Sequence, residues 1–290
     1  MKKALHTIGG AILYILTYTM IQNAVGFFAV LFKLLTDLMK YPALTTINQE
    51  KAMDLLLKMA SSHIMENKTI LLLIGNLLAL TLVWIFLRIR KKSLIQVIHL
   101  TQTKPNYMVI AFVIGCSVPF CVTIMNSLIP YSEEILQNYD KYASSIPEDT
   151  GFLPFLAVAV IGPFSEEVFY RGLVYRKLKK GMNILPAMLL SSAFFGLGHS
   201  GVLWFFSAFL AGLLLAWVFE MTHSLWPCIL IHMLNNALAF LVIDKMYSFP
   251  NCLNFIMPVV LAGALAYLWK CNQRNKQTQE DTPKSGLEKT

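Results

Sequence analysis

Charge is what this sequence has least of. Only 14% of its 290 residues are charged and 56% are hydrophobic, whereas an average soluble domain carries about 25% charged residues. So little polar surface cannot cover a water-soluble globule. The composition therefore excludes an ordinary soluble fold and points to an all-α, polytopic membrane protein. The net charge of +8 comes from basic residues clustered between hydrophobic spans, which argues against a nucleic-acid partner and leaves the lipid bilayer as the surrounding partner. The five cysteines, Cys116, Cys121, Cys228, Cys252 and Cys271, are odd in number and lack metal-ligand spacing. They read as small buried hydrophobes. There is no internal repeat, no nucleotide-binding glycine loop, no low-complexity tract and no His-Glu-x-x-His signature. Met1-Lys2-Lys3 and the apolar run behind it look like a signal peptide. Without a small-x-small cleavage site, the segment is expected to stay as an uncleaved anchor.

What the chain does have is long apolar runs. Segments of about 20 residues suit the bilayer core. They fall approximately at Ile8–Phe32, Thr69–Leu87, Tyr107–Ile129, Phe152–Val174, Ile184–His199, Val202–Phe219, Leu225–Val242 and Leu253–Leu268. Basic residues at Lys2/Lys3, Arg88–Lys92, Arg176–Lys180 and from Lys270 onward mark the cytoplasmic side, and the acidic segment Tyr131–Thr150 marks the outer one. Eight spans with both termini inside satisfy all five assignments. The segment Thr36–Asn67 reads as a loop with one short amphipathic helix, and residues 271–290 as a disordered cytoplasmic tail.

Within the apolar runs, a few polar residues stand out. A carboxylate at bilayer depth costs roughly 2.5–3.5 kcal/mol on insertion scales, yet Glu166 and Glu167 sit side by side between Phe155–Phe164 and Val168–Val174. Glu167 and Arg171 share a helix face in the favourable acid-first order, which predicts a structural clamp. Glu166, turned by about 100°, is left to face something else. Gly162-Pro163 just ahead of the pair predicts a bend or restart of the helix. Phe195 and His199 share a face of the fifth span, with Gly196 and Gly198 permitting close approach. His232 and Asn236 share a face of the seventh. One carboxylate, two imidazoles and one amide supply a base, an oxyanion site and positioning groups for hydrolysis by activated water. Two histidines and a carboxylate are also the makings of a metal site. His6, His63, His99 and His223 carry no such context.

Taken in order, Glu166-Glu167-x-x-x-Arg171, Phe195-x-x-x-His199 and His232-x-x-x-Asn236 resemble the motifs of the CAAX protease and bacteriocin-processing family, the family of the type II CAAX prenyl endopeptidase. The likeness spans about Phe152–Leu241. It partitions the chain into an N-terminal transmembrane region of about three helices (1–151), a catalytic core (152–242), a last transmembrane helix (243–270) and the tail. The resemblance implies an intramembrane endopeptidase. Glu166 with His199 would activate water, His232 and Asn236 would form the oxyanion site, and Glu167, Arg171 and Phe195 would support them. A metal-free mechanism is favoured, since an amide and only two histidines make a poor zinc site. If zinc is bound, Glu166, His199 and His232 would hold it. The expected substrate is a membrane-bound peptide or protein, and the short loops suggest a bacterial plasma membrane. The alternative is a non-enzymatic membrane protein, such as an immunity factor, scaffold or transporter, using the same residues structurally. One difficulty stands: as straight rods, the helices would leave Glu166 and His199 roughly 15 Å apart in depth.

Overall fold

Backbone groups that leave water must find partners within their own segment, and unbroken helices achieve this. A computed structural model describes residues 2–40, 48–128, 130–135, 137, 151–199, 201–246 and 251–281, and among them it is helical with no strand. The main helices are α1 (Lys2–Lys40), α2 (Gln49–Ile89), α3 (Pro105–Leu128), α4 (Phe152–Lys179), α5 (Ile184–Leu197), α6 (Val202–Thr222), α7 (Leu225–Met246) and α8 (Asn251–Asp281). A single helical turn, Leu94–Val97, links α2 to α3. Among the described residues six helices, α1–α4, α6 and α8, are long and apolar enough to cross a membrane, while α5 and α7 are shorter apolar helices.

Two expectations need correction. The segment expected to be mostly loop between the first two spans is largely helix, because α1 runs to Lys40 and α2 begins at Gln49. The Asn48 side chain caps α2 by accepting the Glu50 N–H at 3.0 Å. Good helix formers follow, with an Asp54–Lys58 ion pair at i, i+4, so a mixed-charge stretch continues the helix beyond its apolar part. The tail expected to be disordered from residue 271 is helical as far as Asp281. Asn272 is buried and donates to Met221 O at 2.6 Å, and Asn275 bonds both Lys104 Nζ and the Tyr107 hydroxyl. These contacts hold the start of the tail against α3 and α6. Residues 282–290, and most of the acidic segment 131–150, lie outside the described residues.

The centre of the bundle is α4. Half of its apolar window is buried, against 11% for α1 and 6% for α8, so the latter two meet lipid. The α1–α2 hairpin, α5 and α7 pack against α4; α3 lies along α7 and α8, and α5 along α6. The expected bend at Gly162-Pro163 is not a break. The backbone widens into a π-helical turn over Leu156–Ile161, returns to α over Gly162–Glu167, and widens again over Val168–Tyr175. A proline cannot donate and crowds the carbonyl four residues back, so an inserted residue relieves the clash while the helix goes on.

Candidate active site

The residues singled out in the sequence come together from α4, α5 and α7. Glu167 is fully buried, and its Oε1 accepts from Arg171 Nη1 at 2.7 Å. The same oxygen lies 2.8 Å from His232 Nδ1. The clamp expected from the sequence is therefore only half of what Glu167 does, because it also orients the imidazole. A carboxylate accepts only, so His232 Nδ1 carries a proton and Nε2 is aimed away from Glu167. That Nε2 lies 3.6 Å from Glu166 Oε2, close enough for charge attraction but too long for a hydrogen bond. Glu166 itself stays 26% exposed at the side chain. Glu167 Oε2 and Arg171 Nη2 are buried with no hydrogen-bond partner.

Phe195 is the hub beneath this cluster. The Arg171 guanidinium stacks over its ring at 4.4 Å. The rings of His199, Tyr170 and His232 meet it edge-on at 4.8, 5.0 and 5.7 Å. One apolar ring thus holds a cation and two imidazoles in place through cation–π and edge-to-face contacts. His199 Nδ1 lies 2.9 Å from Phe195 O. A carbonyl accepts only, so Nδ1 is the donor, which leaves the Nε2 lone pair of the neutral ring free.

The depth difficulty resolves through register. Ser191 Oγ donates to Tyr170 O at 3.3 Å, pairing antiparallel α5 with α4 at that level. Counting outward, Phe195 falls level with Glu166, and His199 about one turn (~5.4 Å) beyond. The straight-rod estimate failed because α4 extends to Lys179 and α5 has only 14 residues. Gly198 completes the approach, since a Cβ there would meet the Tyr170 hydroxyl at 3.0 Å. Glu166 and His199 consequently line one cavity of about 430 Å³, together with Tyr170 and, from α1, Tyr18 and Gln22.

Asn236 also has a backbone partner on α4. Its Nδ2 donates to Val158 O at 3.1 Å, and its Oδ1 accepts from Asn235. The reason lies in α4. In the π turn the Gly162 N–H reaches back to Ala157 O, so the next donor, due at Val158 O, would be residue 163. That residue is proline and has no N–H. The Asn236 amide supplies the missing donor, and its second N–H remains. Asn236 lines a second cavity, of about 170 Å³, with Asn235, His232, Phe195 and His199. His199 borders both cavities.

Several residues went unnoticed in the sequence. Tyr18 stacks on Phe169 at 4.3 Å and donates to Asn76 Oδ1 at 2.7 Å, and Gln22 donates to the same oxygen. Glu220 is buried at the end of α6, paired with Lys179 at 2.6 Å and accepting from the Tyr175 hydroxyl at 2.9 Å. Asn76 and Glu220 carried the same signal as the glutamate pair, a polar residue inside an apolar run. Tyr18, Gln22 and Tyr170 had none, because an amphipathic side chain in a membrane helix is unremarkable until its neighbours are known. Among the described residues no three His, Cys, Asp or Glu side chains are grouped so as to hold a metal ion, the set Glu166, His199 and His232 included.

Residues 148–238 match the family model described as "Rce1-like: Type II CAAX prenyl endopeptidase Rce1-like". No curated protein and no solved structure matches the chain. The matched segment contains Glu166, Glu167, Arg171, Phe195, His199, His232 and Asn236, and leaves α1–α3 and α8 outside.

Proposed function

We propose that this chain, which belongs to the CAAX protease and bacteriocin-processing family, cleaves a peptide bond of a membrane-associated peptide or protein by glutamate-activated water. The observation that carries the reading is the unequal environment of the two acids. Glu167 is buried against Arg171 and His232, while Glu166 is partly exposed in a cavity it shares with His199. Glu166 takes a proton from water, and His199 Nε2 accepts the other water proton as a hydrogen bond and so positions the nucleophile. The water oxygen bonds to the scissile carbonyl carbon. Negative charge gathers on the carbonyl oxygen, which the His232 Nε2–H and the second Asn236 N–H stabilise. Glu166 then returns the proton to the leaving amine as the C–N bond breaks.

The oxyanion role of His232 requires a proton on both of its nitrogens, and His232 and Arg171 would then balance Glu166 and Glu167, the neutrality that a membrane demands of buried charges. Both hydrogen bonds that fix the oxyanion donors, Glu167 to His232 and Val158 to Asn236, are to acceptors already held by α4, so little reorganisation is needed as charge develops. The reading includes eight spans with both termini cytoplasmic, with α5 and α7 as the two short ones. It takes the plasma membrane of a bacterium as the setting and requires no metal.

The test is cleavage of a peptide mixture by the purified chain in detergent. Glu166→Gln is expected to lower the rate by about 10²–10⁴-fold while the protein stays folded. Unchanged turnover in that variant, or none in the native chain, favours a non-enzymatic immunity factor, scaffold or transporter instead. 1,10-Phenanthroline is expected to leave the native rate unaltered. Loss of activity with chelator and recovery with zinc would overturn the metal-free mechanism.

A further inference from the structure

Helices α5 and α8 flank α6 without closing over it. A Cβ on Gly212 of α6 would meet Ser192 Cβ of α5 at 2.9 Å, so these two helices pack tightly. Helix α8 lies along α3 instead and is tied to α6 near its end, where Asn272 donates to Met221 O at 2.6 Å. Between α5 and α8 a groove of about 570 Å³ is left over α6. Leu213 and Trp217 form its floor, and Leu189, Leu265, Ala266 and Trp269 its walls. All its lining residues are apolar. Leu189 is 43% and Trp269 54% exposed, so the groove opens outward to lipid. Its volume falls within the range of ligand sites, about 300–1,000 Å³.

The two tryptophans stand at one end. The Asn272–Met221 bond sets parallel α6 and α8 in register, so Trp217 and Trp269 come to nearly the same level, about 7.5 Å before α6 ends at Thr222. Tryptophan favours the boundary between acyl chains and headgroups. Beyond it the charge is positive. Lys179 pairs with Glu220 at 2.6 Å, which brings the next residue, Lys180, to the level of the end of α6. Lys270 follows Trp269 and lies one turn beyond Ala266 on the same face of α8. Glu220, the one acid of α6, is already taken up by Lys179 and the Tyr175 hydroxyl. Lys180 and Lys270 are both exposed, and they set two positive charges at the mouth of an apolar groove.

That combination selects the occupant. Any lipid covers an apolar face, but two ammonium groups at the depth of the headgroups complement a phosphate that carries net negative charge. The groove spans about one turn of each helix, Leu213 to Trp217 and Leu265 to Trp269. It therefore holds the upper part of an acyl chain, next to its headgroup.

We propose that this groove binds an anionic phospholipid from the leaflet at that end of the bundle, with Lys180 and Lys270 on the headgroup phosphate and the chain lying between Trp217 and Trp269. The site is independent of the endopeptidase reading, and its test needs no cleavage. The full chain is reconstituted in phosphatidylcholine vesicles in which a minority of the lipid is brominated, either as phosphatidylglycerol or as phosphatidylcholine. Bromine quenches tryptophan fluorescence on contact. The quenching that disappears in the variant Trp217→Phe/Trp269→Phe is the contribution of the groove, and Trp84, exposed on α2, serves as the reference for ordinary lipid contact.

Brominated phosphatidylglycerol is expected to reach the groove about tenfold more readily than brominated phosphatidylcholine, from two lysines near an anionic headgroup. Lys180→Gln/Lys270→Gln should reduce that preference several-fold while quenching of Trp84 stays as in the native chain. Ala266→Phe, which fills the groove, should lower the groove's quenching by both lipids. Equal quenching by the two lipids in the native chain overturns the site and leaves only ordinary lipid contact. A preference that survives loss of both lysines overturns it as well. Displacement of either brominated lipid by a farnesylated peptide, whatever the headgroup, would assign the groove to a lipidated peptide instead.

Discussion

At the residue scale the two adjacent glutamates divide their tasks by burial. Glu167 Oε1 serves Arg171 and His232 at once, so Glu167→Gln strips a buried guanidinium of its counter-charge. Breaking a buried pair on one side costs about 3–5 kcal/mol. Thermal unfolding in detergent should show a marked fall in midpoint for Glu167→Gln and a midpoint near native for Glu166→Gln, whose side chain is 26% exposed and stands 3.6 Å from His232. The reverse order would mean that the structural and reactive acids have been exchanged. Both substitutions should lower the cleavage rate sharply, and only the stability measurement separates them. The adjacency and the i, i+4 partner were legible in the sequence. The second partner of Glu167 was not, because His232 lies 65 residues away.

At the element scale α4 is two π turns around a short α segment, and this winding connects a proline to an asparagine on another helix. Pro163 leaves Val158 O without a backbone donor, and Asn236 provides one. Asn236→Ala should therefore cost about 1–3 kcal/mol, the range for a buried acceptor left unsatisfied. Pro163→Ala restores a backbone N–H, so Asn236→Ala should cost about 1 kcal/mol less in that background. A double-mutant cycle on unfolding free energies measures the coupling. Strict additivity would show that the backbone of α4 does not depend on Asn236. The His-x-x-x-Asn pattern was visible in the sequence, but the use of the amide depends on a helix type that periodicity does not reveal.

For the whole molecule, packing rests on places where helices approach without side chains between them. Lipid offers no hydrophobic drive for association, so small residues and close contact supply it. A Cβ on Gly115 of α3 would come 2.9 Å from Leu234 Cβ and 3.1 Å from Ile231 Cα of α7. The second contact is backbone and cannot rotate away. Gly115→Val is expected to part α3 from α7 and destabilise the fold by about 1–3 kcal/mol, read by denaturant unfolding in mixed micelles. It should also raise KM by opening the second cavity, which Val118, Pro119 and Val122 of α3 line. A native-like stability would show that this crossing is looser than its distances imply. The same scale explains why α1 and α8 carry so many exposed apolar side chains, Phe27, Phe28 and Phe32 on α1 and Phe255 and Val259 on α8 among them: their outer faces meet lipid.

The sequence by itself determined the class of molecule. Too little charge for a water-facing surface, apolar runs of bilayer length and three polar motifs in order follow from composition and short-range spacing, which no packing can alter. It also singled out the polar residues that the fold gathers, because a polar group inside an apolar run needs a reason wherever the helices end up. Tertiary structure decided which groups meet. It set the α4–α5 register that brings His199 to Glu166, gave His232 Nδ1 to Glu167, and tied Asn236 to the carbonyl that Pro163 leaves bare. It also kept the start of the expected tail helical through contacts with Met221, Lys104 and Tyr107. Each of these joins residues far apart in the chain, and such distances depend on helix length, winding and crossing, which local sequence leaves open.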